Sequence, residues 1–243
     1  MDDSQTPKPG GVAVALHLTG AFELSLAGQA MAVPHVVERL LAYLALAGRP
    51  VARSRIAGAL WCDSGEMQAG KSLRTALWRL QRLGGGIVAA TDGQVALAAD
   101  VPVDVSELLE LAQALVRDPD DAAALDGLPR LVDHRDLLPD WDEEWVVIDR
   151  ERYRLVRLEA LESAAAGLLA RHRLTDALLV AMAAVQGEPL RETARRLIVR
   201  VQLEQGNLVE ALRSYQQYRA LLNAEFRLEP SREMTDLVAS LRA

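Results

Sequence analysis

The sequence has little cysteine, few aromatic residues and no long apolar run, and each shortage excludes a class of protein. One cysteine among 243 residues, Cys62, excludes an internal disulfide and fits a reducing cytoplasm. No apolar run approaches the roughly 20 residues of a membrane span, so we expect no membrane partner. Residues 1–11 lack the basic start and apolar core of a signal peptide, and we interpret them as a flexible tail.

Groups suited to catalysis or metal binding are also scarce. The four histidines, which have no i,i+4 partner and no neighbouring cysteine, are His17, His35, His134 and His172. Gly84-Gly85-Gly86 lacks the following Lys-Ser/Thr of a phosphate loop, and Ser64-Gly65 is not a nucleophile elbow. The acidic residues at 140–144 precede a predicted helix, where negative charge is favourable. We therefore predict no catalytic residue, no metal, no cofactor and no enzymatic activity.

The composition favours packed helices, and the charge is distributed unevenly. Hydrophobic residues make up 50% of the chain while aromatic residues make up 4%, and Ala and Leu dominate. Residues 11–100 carry 8 Lys and Arg against 6 Asp and Glu, about +2, although the whole chain carries −7. Residues 101–243 carry 18 against 26, which is −8. This asymmetry predicts different partners for the two parts.

The first hundred residues predict a winged helix-turn-helix with an added N-terminal β-sheet. Strands are predicted at 12–18, 21–26 and near 30–33, and helices at 35–47, 53–61 and 71–83. Two further strands, 87–90 and 95–98, flank an Asp92-Gly93 turn and form the hairpin that would be the wing. We expect a DNA-binding domain over 12–100, with 71–83 as its recognition helix.

The predicted recognition helix has an apolar side, formed by Leu73, Ala76, Leu77 and Leu80. The residues assigned to DNA contact are Lys71, Ser72, Arg74, Thr75, Trp78, Arg79 and Arg82. Arg53 and Arg55 open the preceding helix and are candidates for phosphate contact. The alternative for these charged residues is an ordinary solvated surface. Trp78 could equally pack beneath the wing.

Residues 101–243 predict a second, all-helical domain. Its helices are predicted at 105–117, 122–132, 144–171, 175–186, 190–205, 208–224 and 232–241. Leu169, Leu174, Asp176, Ala177 and Leu178 recur 34 positions later as Leu203, Leu208, Glu210, Ala211 and Leu212. A 34-residue period is typical of tetratricopeptide repeats, in which a small residue lets paired helices approach closely. The fold class is therefore mainly α with small β elements.

Several segments together resemble the SARP-type activators, which combine an OmpR-like winged helix with a bacterial transcriptional activator domain. The matching segments are Arg53–Trp61, Ser72–Leu80, Val103-Asp104, Asp136–Trp141, Glu144–Val146, Glu188–Glu192, Gly206–Tyr215 and Glu229–Ser231. Two features depart from the pattern: Ala52 stands where a hydroxyl cap is expected, and the wing at 89–94 has no Lys or Arg. The resemblance is to the short form, without the ATPase or sensor domains of longer relatives.

The resemblance implies an activator of transcription in the cytoplasm, associated with the nucleoid. It would bind direct repeats near a promoter's −35 element, as a homodimer or a side-by-side pair, and recruit RNA polymerase through its sigma factor. Secondary-metabolite genes would be its targets, and the loop at 62–68 could touch the polymerase. The main alternative is a tetratricopeptide adaptor for protein interactions with a degenerate DNA-binding domain. A ligand-gated regulator is a third hypothesis.

Overall fold

The computed structural model describes residues 14–84, 86–91, 93–133 and 135–239. The predicted tail, Gly85, Asp92 of the predicted turn, His134 and the end of the predicted final helix lie outside the described residues. Contacts divide the chain into two compact units. The first unit takes Met1–Glu107 and Asp136–Arg150, and the second takes Leu108–Arg135 and Glu151–Ala243.

The first unit begins with a three-stranded antiparallel sheet. Its strands, in the spatial order β1-β2-β3, are β1 (Val14–His17), β2 (Glu23–Leu26) and β3 (Gln29–Met31). Leu16 lies opposite Leu24 in the register, and both side chains are buried. Gly28 turns the chain from β2 into β3 at φ +77°, a conformation that favours glycine. The predicted N-terminal sheet is therefore confirmed.

A winged helix-turn-helix follows the sheet. Its elements are α1 (His35–Ala47), β4 (Val51–Ala52), α2 (Arg53–Leu60), α3 (Glu66–Leu83), β5 (Val88–Ala90) and β6 (Gln94–Leu97). The strands form a second sheet in the order β4-β6-β5. The predicted fold is confirmed, with two local differences. Strand β4 was not predicted, because its two residues are too few to show alternation, and α3 begins at Glu66, five residues before the predicted start.

One apolar core holds these helices together. It contains Leu40 and Leu44 of α1, Ile56 and Leu60 of α2, and one side of α3, and it is completed by Val51 and Val95 of the second sheet. Ala69 belongs to this core too, so burial explains why the first turn of α3 is helical despite Gly70. The core thus holds α3 from Ala69 in its first turn to Leu77.

Residues from later in the chain complete the first unit around the end of β1. The Asp104 carboxylate accepts hydrogen bonds from the backbone N–H groups of Leu18 (2.8 Å) and Thr19 (3.0 Å). Arg150 donates to three backbone carbonyls, those of Leu137, Leu138 and Trp141. The Leu138 N–H in turn donates to the Leu18 carbonyl. Arg150 therefore fixes the Asp136–Trp141 segment against β1.

The second unit is helical in its described residues. The helices are α4 (Asp104–Arg117), α5 (Ala122–Val132), α6 (Glu144–Ala170), α7 (Leu174–Gly187), α8 (Glu192–Glu204), α9 (Leu208–Phe226) and α10 (Arg232–Ala239), of which α4 and α6 begin in the first unit. Ala177 and Ala211 are fully buried, as the 34-residue repeat predicts. This tetratricopeptide-like arrangement is confirmed. No helix among the described residues has both the length and the apolar character needed to cross a membrane.

A buried tyrosine ties the last helices together. Burial and the neighbouring Glu192 carboxylate raise the pKa of Tyr218 to about 12. Its hydroxyl therefore stays protonated and donates to Glu192 at 3.3 Å. The same carboxylate accepts the backbone N–H of Ser231 at 2.9 Å. Glu192 thus joins the starts of α8 and α10 to the middle of α9.

Two helical glycines predict stability changes of opposite sign. A Cβ on Gly167 would lie 2.9 Å from the Pro119 Cβ and 3.2 Å from its carbonyl oxygen, so Gly167→Ala should destabilise by about 1–3 kcal/mol. A Cβ on Gly58 would meet nothing within 4 Å, so Gly58→Ala should stabilise by roughly 0.5–1 kcal/mol. Urea denaturation followed by circular dichroism measures both changes. Equal shifts of the same sign would contradict the packing around α6.

Candidate nucleic-acid interface

Helix α3 separates an apolar side from a cationic side. Ala69, Leu73, Ala76, Leu77 and Leu80 are buried. The exposed predicted residues are Lys71, Arg74, Thr75, Trp78, Arg79 and Arg82, while Ser72 is half-buried. Because each residue advances by about 100°, the exposed set spans roughly 140° of the helix surface. The structure therefore brings the predicted α3 residues together on one face.

Two grooves flank this face. Lys71, Ser72, Thr75 and Arg79 line a groove on the side of α1, together with Val36. Arg74 and Trp78 line a second groove beside the wing, together with Ile87, Val88 and Ala90. The Thr75 hydroxyl donates to the Lys71 carbonyl at 3.1 Å, so its hydrogen is used within the helix. The cationic face is thus bordered by apolar groups on both sides.

Trp78 combines exposure with a contact to a cation. Its side chain is 55% exposed, and it borders the wing-side groove. The Arg82 guanidinium carbon lies 4.9 Å from the centre of its ring, within the range of a cation–π interaction. Trp78 therefore borders the wing and also holds the guanidinium of Arg82 at the surface. The exposed ring is not packed beneath the wing, and its contact with DNA stays a prediction.

Arg53 connects α2 to the wing. Its backbone N–H donates to the Gly93 carbonyl at 3.0 Å, and β4 just before it pairs with β6. Its side chain is half-buried and lines the wing-side groove with Arg74. The same two arginines border a cleft of about 440 Å³ between α2 and α3, near the exposed Cys62. Arg55 is exposed on α2 but lines neither groove nor cleft.

The cations of this surface have no acidic partner among the residues that the structure describes. None of the following forms an ion pair with a described residue: Arg53, Arg55, Lys71, Arg74, Arg79 and Arg82. Elsewhere arginines are commonly paired, as Arg39 is with Glu143 at 2.7 Å and Arg191 with Glu162 at 2.7 Å. Uncompensated cations on one surface attract an anionic partner.

Two side chains of the same face were not among the predicted site residues. Met67 and Gln68 lie in the first turn of α3, before the predicted start of the helix. Met67 is 78% exposed, and Gln68 lines the groove on the side of α1. The run Met67-Gln68-Ala69 has good helix propensity and could have indicated this turn, but Gly65 and Gly70 on either side hid it.

A winged helix with a cationic helix face, followed in sequence by tetratricopeptide-like helices, defines a transcription regulator. The chain belongs to the bacterial transcriptional activator domain family, whose model matches residues 87–242. The predicted SARP-type resemblance is thereby confirmed. A comparison with curated proteins gave no match.

The fold is also similar to that of a solved structure, Mycobacterium tuberculosis EmbR in complex with a low affinity phosphopeptide. The TM-score is 0.78 at 19% sequence identity. The match covers 96% of this chain and 66% of the EmbR chain, so this chain spans just under two thirds of its length. At this identity the likeness shows the fold, and the winged helix plus helical arrangement is common to both.

Stability measurements can test the division of α3 into two sides. Arg74→Ala and Arg79→Ala should change the free energy of unfolding by no more than about 0.5 kcal/mol, because both side chains are exposed and form no ion pair within the described part of the chain. Leu77→Ala should cost about 2–5 kcal/mol, because Leu77 is buried in the core. Thermal denaturation compares the three variants. A large loss in either arginine variant would contradict the assigned orientation of α3.

Proposed function

We propose that this bacterial transcriptional activator binds double-stranded promoter DNA in a sequence-specific manner through α2, α3 and the surface around them. The observation that carries the proposal is the set of cations, exposed on α3 and half-buried or exposed at the start of α2, that have no ion-pair partner in the described residues. A helix about 10–12 Å wide with a cationic face fits the major groove of DNA.

Each side chain has a role that follows from its chemistry. Arg74 and Arg79 carry planar guanidinium groups that can bind guanine through two hydrogen bonds. The Thr75 methyl suits a thymine methyl, and Lys71 suits a phosphate as a point charge. Arg82, which lies over the Trp78 ring, would contact a phosphate. Ser72 lies at the edge of this helix face, where its hydroxyl can donate to a base or a phosphate.

The start of α2 provides a second contact with the DNA backbone. Arg53 and Arg55 lie in its first turn, where free backbone N–H groups favour a phosphate. The Arg53 N–H already donates to the Gly93 carbonyl, but Ala52 provides no side-chain hydrogen bond to cap the next N–H groups of this turn, which keep their capacity to bind an anion. The wing has no Lys or Arg among its described residues, so its share of phosphate binding is small.

The proposal assigns DNA binding to residues 12–100 and partner contact to residues 101–243. The acidic helical part would contact RNA polymerase, including its sigma factor, while two protomers occupy a direct repeat near the −35 element. The family resemblance further suggests secondary-metabolite genes as targets and the cytoplasmic nucleoid as the location. The confirmed family and the charge difference between the two parts support this division.

DNA binding by the intact chain provides the test. Genomic fragments that the protein selects are footprinted, and affinity for the footprinted duplex is then measured between 50 and 200 mM salt, a range of about fourfold. Arg74→Ala and Arg79→Ala should each weaken binding by about 1–3 kcal/mol, and Lys71→Ala should lower the salt slope by about one. Arg152→Ala serves as the control, because Arg152 is exposed on α6 and lies outside the proposed interface.

The adaptor hypothesis keeps one specific observation in its favour, the wing without cations. A protein of that kind would show no saturable binding to any selected fragment at low salt. Specific binding that both arginine variants retain unchanged would instead contradict the assignment of α3. A footprint of two phased half-sites would support the paired arrangement.

A further inference from the structure

The first turn of α3 extends the proposed DNA surface beyond its cationic residues. Met67 is 78% exposed, the largest exposed fraction among the large hydrophobic side chains of the described residues. Gln68 is also exposed, one helical turn before Ser72. Helix periodicity places both on the face that carries Lys71 and Arg74.

Gln68 lies in a setting suited to a nucleic acid. It lines one groove with four residues of the proposed interface, Lys71, Ser72, Thr75 and Arg79. No carboxylate lines that groove. In contrast, Glu66, which begins the helix, lines the cleft on the side of α2. An anionic partner in that groove can therefore reach Gln68 without direct contact with the Glu66 carboxylate.

The side-chain amide of Gln68 is available for binding. Its backbone N–H donates to the Gly65 carbonyl at 2.9 Å, but its amide group has no hydrogen-bond partner among the described residues. A primary amide presents one acceptor and two donors side by side. In the major groove adenine presents N7 as acceptor and the N6 amino group as donor, which is the complementary pattern.

We propose that Gln68 is a specificity-determining residue that recognises adenine, with Met67 contacting a neighbouring thymine methyl. The proposal rests on the DNA-binding function proposed above. Recognition helices contact base edges mainly with their N-terminal residues, which is where Gln68 lies. Gln68 and Arg74 are separated by six residues, or about 9 Å of helix, so the adenine should lie roughly two to three base pairs from the guanine that Arg74 contacts.

Selection from a randomised duplex library with the intact chain tests the proposal. The wild-type protein should enrich a motif with a strongly preferred adenine. Gln68→Ala should reduce the preference for adenine at that one position by about tenfold, leaving the other positions unchanged. Gln68→Glu should move the preference toward cytosine, because a carboxylate accepts from the cytosine amino group. A shift to a new base cannot result from loss of structure.

Gln217→Ala is the matched control, since Gln217 is another exposed glutamine within a helix, on α9. It should leave the motif identical to that of the wild type. If the wild type enriches a motif that Gln68→Ala and Gln68→Glu reproduce base for base, this proposal is wrong while the DNA-binding function stands. If the wild type enriches no motif at all, both fail.

Discussion

The burial of one side of α3 is the constraint on which the rest of the proposed interface depends. Leu73, Ala76 and Leu77 pack into a core with α1 and α2, and this packing leaves the helix no freedom to rotate about its axis. The exposure of Arg74 and Arg79 is therefore a result of apolar packing on the opposite side. Specific binding needs this preorganisation, because side chains already in place lose less entropy on contact.

The first unit depends on residues distant in sequence. The end of β1 is bonded to the Asp104 carboxylate and to the backbone of Leu138, and Arg150 fixes the segment that contains Leu138. The motifs Val103-Asp104 and Asp136–Trp141, which carry much of the family resemblance, thus have a structural role in the first unit. Aromatic contacts add to this, since Trp141 stacks on Phe22 with ring centres 6.0 Å apart.

Periodicity predicted most of the fold, and it failed where the pattern was short or interrupted. The seven helices predicted after residue 100 all form, because each has enough turns to show a continuous apolar side. Strand β4 has two residues and exists because Val51 pairs with Val95, a contact that no local pattern shows. The first turn of α3 was missed because Gly65 and Gly70 suggest a loop, and burial of Ala69 overrides that preference.

The candidate site was predictable in its residue types but not in its electrostatics. The spacing of Lys71, Arg74 and Arg79 indicated a common face, and the structure places them on one. Whether a cation is paired depends on acids brought near it by folding, as Glu143 is to Arg39 across more than a hundred residues. The contact between Arg82 and Trp78, and the position of Gln68 in the groove on the side of α1, likewise depend on the folded structure.

The single cysteine gives the molecule a built-in point of attachment for a reporter. Cys62 is free and exposed, and it borders the cleft shared by Arg53 and Arg74. Because the chain has no other thiol, alkylation with a fluorescent reagent would label one position without any change of sequence. The fluorescence of such a dye would report the binding of a molecule in the cleft between α2 and α3. The measurement would use the protein with its natural sequence and follow binding in real time.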